Sequence, residues 1–196
     1  MKAKIKNVDL MKVKDNENTY YGFSQKWYKD LWQQEAGCGP TVASSIINYY
    51  NQIDNFKEVE IADALKIMEE LWFYLLPTEY GLNSVKLFYD GIKNYYSNKE
   101  VRIDYINVNI KDKPSLDEII NFISKELSED RPIAFLNLCN GEENNLDRWH
   151  WVLVVEIFEE NGEYFFNIID DKKIKKINLS LWYRTITNDG GFITFK

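Results

Sequence analysis

Two stretches in the second half of the chain constrain the fold more than any other feature. Pro132–Cys139 (PIAFLNLC) and Trp149–Phe158 (WHWVLVVEIF) are apolar on both faces of an extended chain. Strands of that kind are stable only in a sheet covered on both sides, so the rest of the sequence must supply covering layers. The first half does. From Pro40 to Tyr50 the apolar residues Val42, Ala43, Ile46, Ile47 and Tyr50 follow one helical face, with Pro40 in the first turn, where a missing N–H costs nothing. Further helices are expected over Val59–Leu76, ended by Pro77, over Asn83–Tyr96, and over Leu116–Leu127, with Ser115 as N-cap and Glu118 completing a capping box. Strands are expected over Val101–Val108, over Tyr164–Asp170 beyond the turn signal Asn161-Gly162, and near Ile174–Ile177 and Phe192–Phe195. Met1–Trp32 reads as irregular, with a short strand near Ala3–Val8. Helices first and antiparallel strands second predict an α+β fold whose two halves meet in a cleft. No linker or repeat divides the chain, so one domain is expected over 1–196, its helical half about 1–100 and its sheet half about 101–196.

The 196 residues bury enough surface to fold without a disulfide or metal staple. Lys and Arg number 24 against 31 Asp and Glu, a net charge of −7, which disfavours nucleic acid and anionic membrane surfaces as partners. One histidine and two cysteines, with no CxxC or HxxxH pair, do not make a zinc cage, and no metal or other cofactor is expected. The N-terminus carries no apolar core of signal-peptide length, and no stretch approaches the ~18 apolar residues of a membrane span. A soluble, cytoplasmic chain is therefore expected, although a secreted form stripped of its leader would read the same.

Three scarce residues carry the chemistry. Cys38, in QQEAGCGPTVASS, stands where a Gly-rich turn enters a helix. There the backbone dipole favours thiolate, and the flanking glycines allow close approach to the sulfur. The same string makes a poor phosphate loop: Val42 takes the place of a third glycine and no Lys-Ser/Thr pair follows. His150, the sole histidine, opens an apolar strand and is the only imidazole able to serve a cysteine nucleophile as base. A carboxylate should hold that ring, and the returning arm of the next hairpin offers Asp170 and Asp171. A two-residue turn at Asn161-Gly162 pairs Glu160 with Glu163 and turns Asp171 to the His150 face, whereas a three-residue loop selects Asp170. Cys139, at the end of an apolar strand, reads as a buried thiol.

The order of Cys38-Gly39-Pro40-Thr41, His150-Trp151-Val152 and Ile168-Ile169-Asp170 resembles the papain-like cysteine peptidases, most closely the bacterial branch related to bacteriocin-leader (double-glycine) processing peptidases. The resemblance covers most of the chain in order and spacing, its specific content being these three motifs. It implies a papain-like fold, a peptide or protein substrate, and a Cys38–His150–Asp170 triad, since the even His-to-Asp spacing of that family favours Asp170. It also implies an oxyanion-hole glutamine ahead of the nucleophile. The usual six-residue spacing falls on Trp32, so Gln25, in a Gln-x-Trp segment, ranks first and Gln33 second. Trp182 stands where it could shield the His–Asp pair or simply pack in the core, and the acidic run Glu142–Asp147 could line the cleft mouth and favour basic substrates. The expected function is a thiol hydrolase cleaving a peptide or isopeptide bond. The alternatives are an acyltransferase or transglutaminase-like enzyme using the same thioester, and a papain-like binding module without activity.

Overall fold

The computed structural model describes residues 2–97 and 99–196. Strand β1 (Lys2–Lys4) and a 3-10 turn (Val8–Met11) lead into a hairpin, β2 (Lys12–Asp15) and β3 (Asn18–Tyr21). A second 3-10 turn (Gln25–Trp27) precedes helices α1 (Leu31–Ala36), α2 (Cys38–Asn55), α3 (Ile61–Tyr74) and α4 (Val85–Tyr95). Then come β4 (Ile103–Val108), α5 (Leu116–Ser128), β5 (Ile133–Asn137), β6 (His150–Glu160), β7 (Glu163–Asp170), β8 (Lys173–Asn178), α6 (Leu179–Thr185) and β9 (Gly190–Phe195). The architecture is α+β, with helices concentrated toward the N-terminus and an antiparallel sheet toward the C-terminus. No helix among the described residues is long and apolar enough to cross a membrane.

The sheet runs β4-β9-β5-β6-β7-β8, with every pairing antiparallel. The two apolar runs lie at its centre as β5 and β6, and every residue of β5 is buried. Because β5 is short, it pairs with β6 only as far as Val154, and β1 takes over the same edge opposite Glu156–Phe158. The N-terminal segment is therefore less irregular than its sequence suggests. Strand β1 joins the distant sheet, and the hairpin β2–β3 holds the β7–β8 turn through a bond from the Tyr21 N–H to the Lys172 carbonyl (3.0 Å).

Helix α2 packs between β6 and α3 and is buried over nearly its whole first three turns. A helix covered on all sides needs small residues and satisfied polar groups. Ala43, Ser44 and Ser45 supply the first. The hydroxyls of Ser44 and Ser45 turn back onto the Pro40 and Thr41 carbonyls (2.7 and 3.1 Å). Helix α5 carries the expected capping box, the Ser115 hydroxyl accepting from the Glu118 N–H and the Glu118 carboxylate accepting from the Ser115 N–H.

Candidate active site

Cys38 is the first residue of α2, directly after the Gly37 junction with α1. The glycines on either side of it allow close packing. A Cβ on Gly37 would stand 2.3 Å from the Gln33 carbonyl oxygen and 2.8 Å from the Tyr28 ring, and one on Gly39 would stand 2.5 Å from Leu82. Cys38 is only 8% exposed, yet it borders two cavities. His150 and Asp170 line the first, of about 300 Å³, together with Gln25, Asp171 and Lys175.

The register that brings Asp170 to His150 has two parts. Asn161 and Gly162 both have positive φ (54° and 77°), making the two-residue turn that pairs Glu160 with Glu163. Uninterrupted, that register would turn Asp171 to the His150 side. A β-bulge at Val155 inserts one residue into β6, so that beyond it Val154 faces Ile168 and Leu153 faces Ile169. The shift by one residue reverses the parity. His150 Nε2 then meets Asp170 Oδ1 at 2.7 Å. The short turn and Asp170 thus occur together, where the sequence reading tied Asp170 to the longer loop. Asp171 instead enters the next turn with φ 41° and accepts a bond from the Ser24 hydroxyl (3.3 Å).

The remaining oxygen of Asp170 accepts from Lys175 Nζ at 2.6 Å. Burial works against ionising this carboxyl, but the bonds and charges of His150 and Lys175 outweigh it and hold its pKa down at about 2. Burial likewise works against charging His150. Its hydrogen bond to Asp170, with the hydrogen bond and charge of Cys38, lifts the imidazole pKa to about 10. Since Nε2 is engaged by Asp170, Nδ1 is the nitrogen left to face the thiol.

The two glutamines separate. Gln25 lines the first cavity and donates one amide N–H to the Gln34 carbonyl (2.8 Å). Its segment is pinned to α2 by a bond from the Phe23 N–H to the Ser45 hydroxyl (3.1 Å). Gln33 is buried on α1 and donates to Glu69 on α3 (3.0 Å), and it does not border the cavity. Trp182 is fully buried, edge-on against Phe135, and its indole N–H donates to Asn137 and to the Cys139 carbonyl. Asn137 lies opposite His150 in the sheet and also donates to the Asp147 carbonyl (2.6 Å), fixing the loop that delivers the histidine. In that loop Glu143 is buried and accepts the N–H groups of Asn145 and Asn178, and Asp147 alone of the run Glu142–Asp147 lines the first cavity.

Cys139 lies beyond the end of β5 and is half-buried rather than buried. Burial raises its pKa, but bonds from Thr187 and Gly141 and the charge of Arg148 outweigh this and lower it below the ordinary 9.0. The sequence reading passed over Lys175, Ser24 and Asn137. Lys175 was the most accessible of them, because reading Asp171-Lys172 as a hairpin turn places it across β7, opposite Ile168 on the Asp170 face.

No family model matches the chain, and no curated protein matches it. Among solved structures it is similar to the crystal structure of UfSP from C. elegans, with a TM-score of 0.51 at 9% sequence identity. The match covers the whole of this chain and 34% of that one, so the chain spans about a third of the length of the protein it matches. At that identity the likeness is one of fold alone.

Proposed function

We propose that the chain is a thiol hydrolase of papain-like type acting on a peptide or isopeptide bond. The observation that carries this reading is the shared cavity lined by Cys38 and by the sole imidazole, which is itself bonded at Nε2 to Asp170. In a papain-like mechanism the imidazole takes the proton of the thiol, which makes the sulfur nucleophilic. In this mechanism the Cys38 sulfur attacks the carbonyl carbon and forms a tetrahedral oxyanion. The Cys38 N–H, at the open end of an 18-residue helix, and the second amide N–H of Gln25 are the donors assigned to that oxygen. His150 gives its proton to the leaving amine, the C–N bond breaks, and a thioester remains on Cys38. His150 then takes a proton from water, the resulting hydroxide equivalent attacks the thioester, and the acid product leaves with the thiolate restored. Asp170 stays ionised throughout and orients the ring. The resemblance of the CGPT, HWV and IID motifs to the double-glycine peptidase branch supports the same reading.

The test is active-site alkylation in a Cys139→Ser background, which removes the competing thiol. Iodoacetamide at neutral pH should modify Cys38 far faster than a free thiol of the denatured chain, and His150→Ala should abolish that advantage. A Cys38→Ala variant should lose all hydrolysis of peptide libraries while keeping its melting temperature. Undiminished hydrolysis by Cys38→Ala contradicts the assignment.

A further inference from the structure

We propose that the acyl side of the substrate carries a lysine or arginine side chain, held in the second cavity by Glu35 and Glu79 among the rings of Trp32, Tyr80 and Trp149. This rests on Cys38 acting as the acylated nucleophile. Cys38 borders both cavities, whereas His150 borders only the first. The leaving amine must lie within proton reach of His150, so it departs through the first cavity. The acyl chain, which stays bonded to sulfur, extends from the other side of Cys38 into the second.

That second cavity, of about 340 Å³, is built from α1, the segment 79–83, the end of β5 and Trp149. Its three large rings are exposed, Trp32 by 43%, Tyr80 by 66% and Trp149 by 53%. Trp149 adopts φ 56°, a left-handed conformation that bulky residues rarely take, immediately before His150. Such strain is kept where it places a side chain for use. Glu35 and Glu79 are exposed at the same cavity, and among the described residues neither makes an ion pair. Aromatic faces beside uncompensated carboxylates suit a long apolar stem ending in a cation, and on a chain of net charge −7 they repel an acidic one. In this proposal selectivity for basic acyl-side residues rests on Glu35 and Glu79, apart from the run Glu142–Asp147.

The experiment uses acyloxymethyl ketone probes with one fixed leaving group, carrying Lys, norleucine or Glu at the first or the second acyl-side position. Labelling of Cys38 is followed by intact mass in the Cys139→Ser background. At one of the two positions the Lys probe should label about tenfold faster than the norleucine probe, with the Glu probe slowest. In the double variant Glu35→Gln, Glu79→Gln the Lys-to-norleucine ratio should fall toward one. Equal rates at both positions, or a ratio that survives in the double variant, overturn the proposal if iodoacetamide still modifies Cys38 rapidly. If iodoacetamide itself fails to single out Cys38, the nucleophile assignment falls and the acyl-side subsite falls with it.

Discussion

His150 and Asp170 meet at 2.7 Å because a single extra residue, Val155, is accommodated in β6. The two-residue turn at the far end of the hairpin sets one parity and the bulge reverses it before the histidine is reached. The pairing is therefore determined at Val155, away from both the Asn161-Gly162 turn and His150.

This gives two adjacent carboxylates different partners. Asp170→Asn removes the negative charge that stabilises the imidazolium, leaving only a neutral amide beside the ring, and should lower kcat by about 10²–10⁴. Asp171 lines the same cavity but is bonded to the Ser24 hydroxyl rather than to His150, and Asp171→Asn should stay within a factor of about two. Steady-state hydrolysis of a common peptide substrate by the two variants decides the matter, and a larger loss from Asp171→Asn would contradict the observed register.

The contrast also shows what was legible in the sequence. Helix α2 follows from Val42, Ala43, Ile46 and Ile47 at helical spacing, α5 from its Ser115 and Glu118 box, and β5 and β6 from unbroken apolar runs, because each is a local pattern with a local cause. The bulge leaves no signature, since Val154, Val155 and Glu156 read as an ordinary strand segment. A short strand was legible near Ala3–Val8, but its place in the sheet was not, because β1 at Lys2–Lys4 is ordered by the edge of β6 that β5 vacates. The Asp171-Lys172 turn lacks the glycine that usually marks two positive-φ residues, so the local sequence gives little sign that Lys175 returns beside Asp170. Cys38 and His150 stood out as scarce reactive groups, but their common cavity depends on tertiary packing that sequence spacing does not encode.

The charged pair predicts a particular dependence of stability on pH. His150 keeps its proton up to about 10 in the folded chain, against an ordinary 6.5, so its contribution is full below about pH 6.5 and is lost as pH rises through 10. Asp170, held at about 2 against 3.8, contributes above pH 3.8 and loses that contribution as pH falls through 2. The difference in unfolding free energy between the native chain and His150→Gln, measured by urea titration at successive pH values, should be largest between about pH 4 and 6.5 and should shrink steadily up to pH 10. A difference that does not vary over that alkaline range contradicts a histidine held in its charged form.

Lys175 is the second cation on Asp170, and its removal tests whether the carboxylate needs it. Lys175→Met deletes one charge-assisted hydrogen bond, worth about 1.5 kcal/mol, and should slow turnover roughly tenfold. The diagnostic reading is the acid limb of the pH–rate profile, which should move to higher pH as Asp170 loses a partner of its ionised form. Lys175→Arg should restore most of the rate and return the limb. A uniform loss of rate with an unmoved limb would mean that Lys175 only supports the hairpin.

The glycines around Cys38 make unequal demands. A methyl group on Gly37 collides with the Gln33 carbonyl, which is backbone in α1 and cannot turn aside. On Gly39 it meets chiefly one terminal carbon of Leu82, on a side chain that can change rotamer although the Leu82 carbonyl is held at 2.5 Å by the Trp151 indole. Gly37→Ala should therefore destabilise the fold by about 1–3 kcal/mol, with Gly39→Ala at or below the lower end of that range. Because relief at Gly37 requires moving the joint between α1 and α2, that variant should also slow alkylation of Cys38, the first residue beyond the joint. Urea midpoints and alkylation rates for the two variants give the order directly, and a more damaging Gly39→Ala would show that Leu82 is the more rigid neighbour.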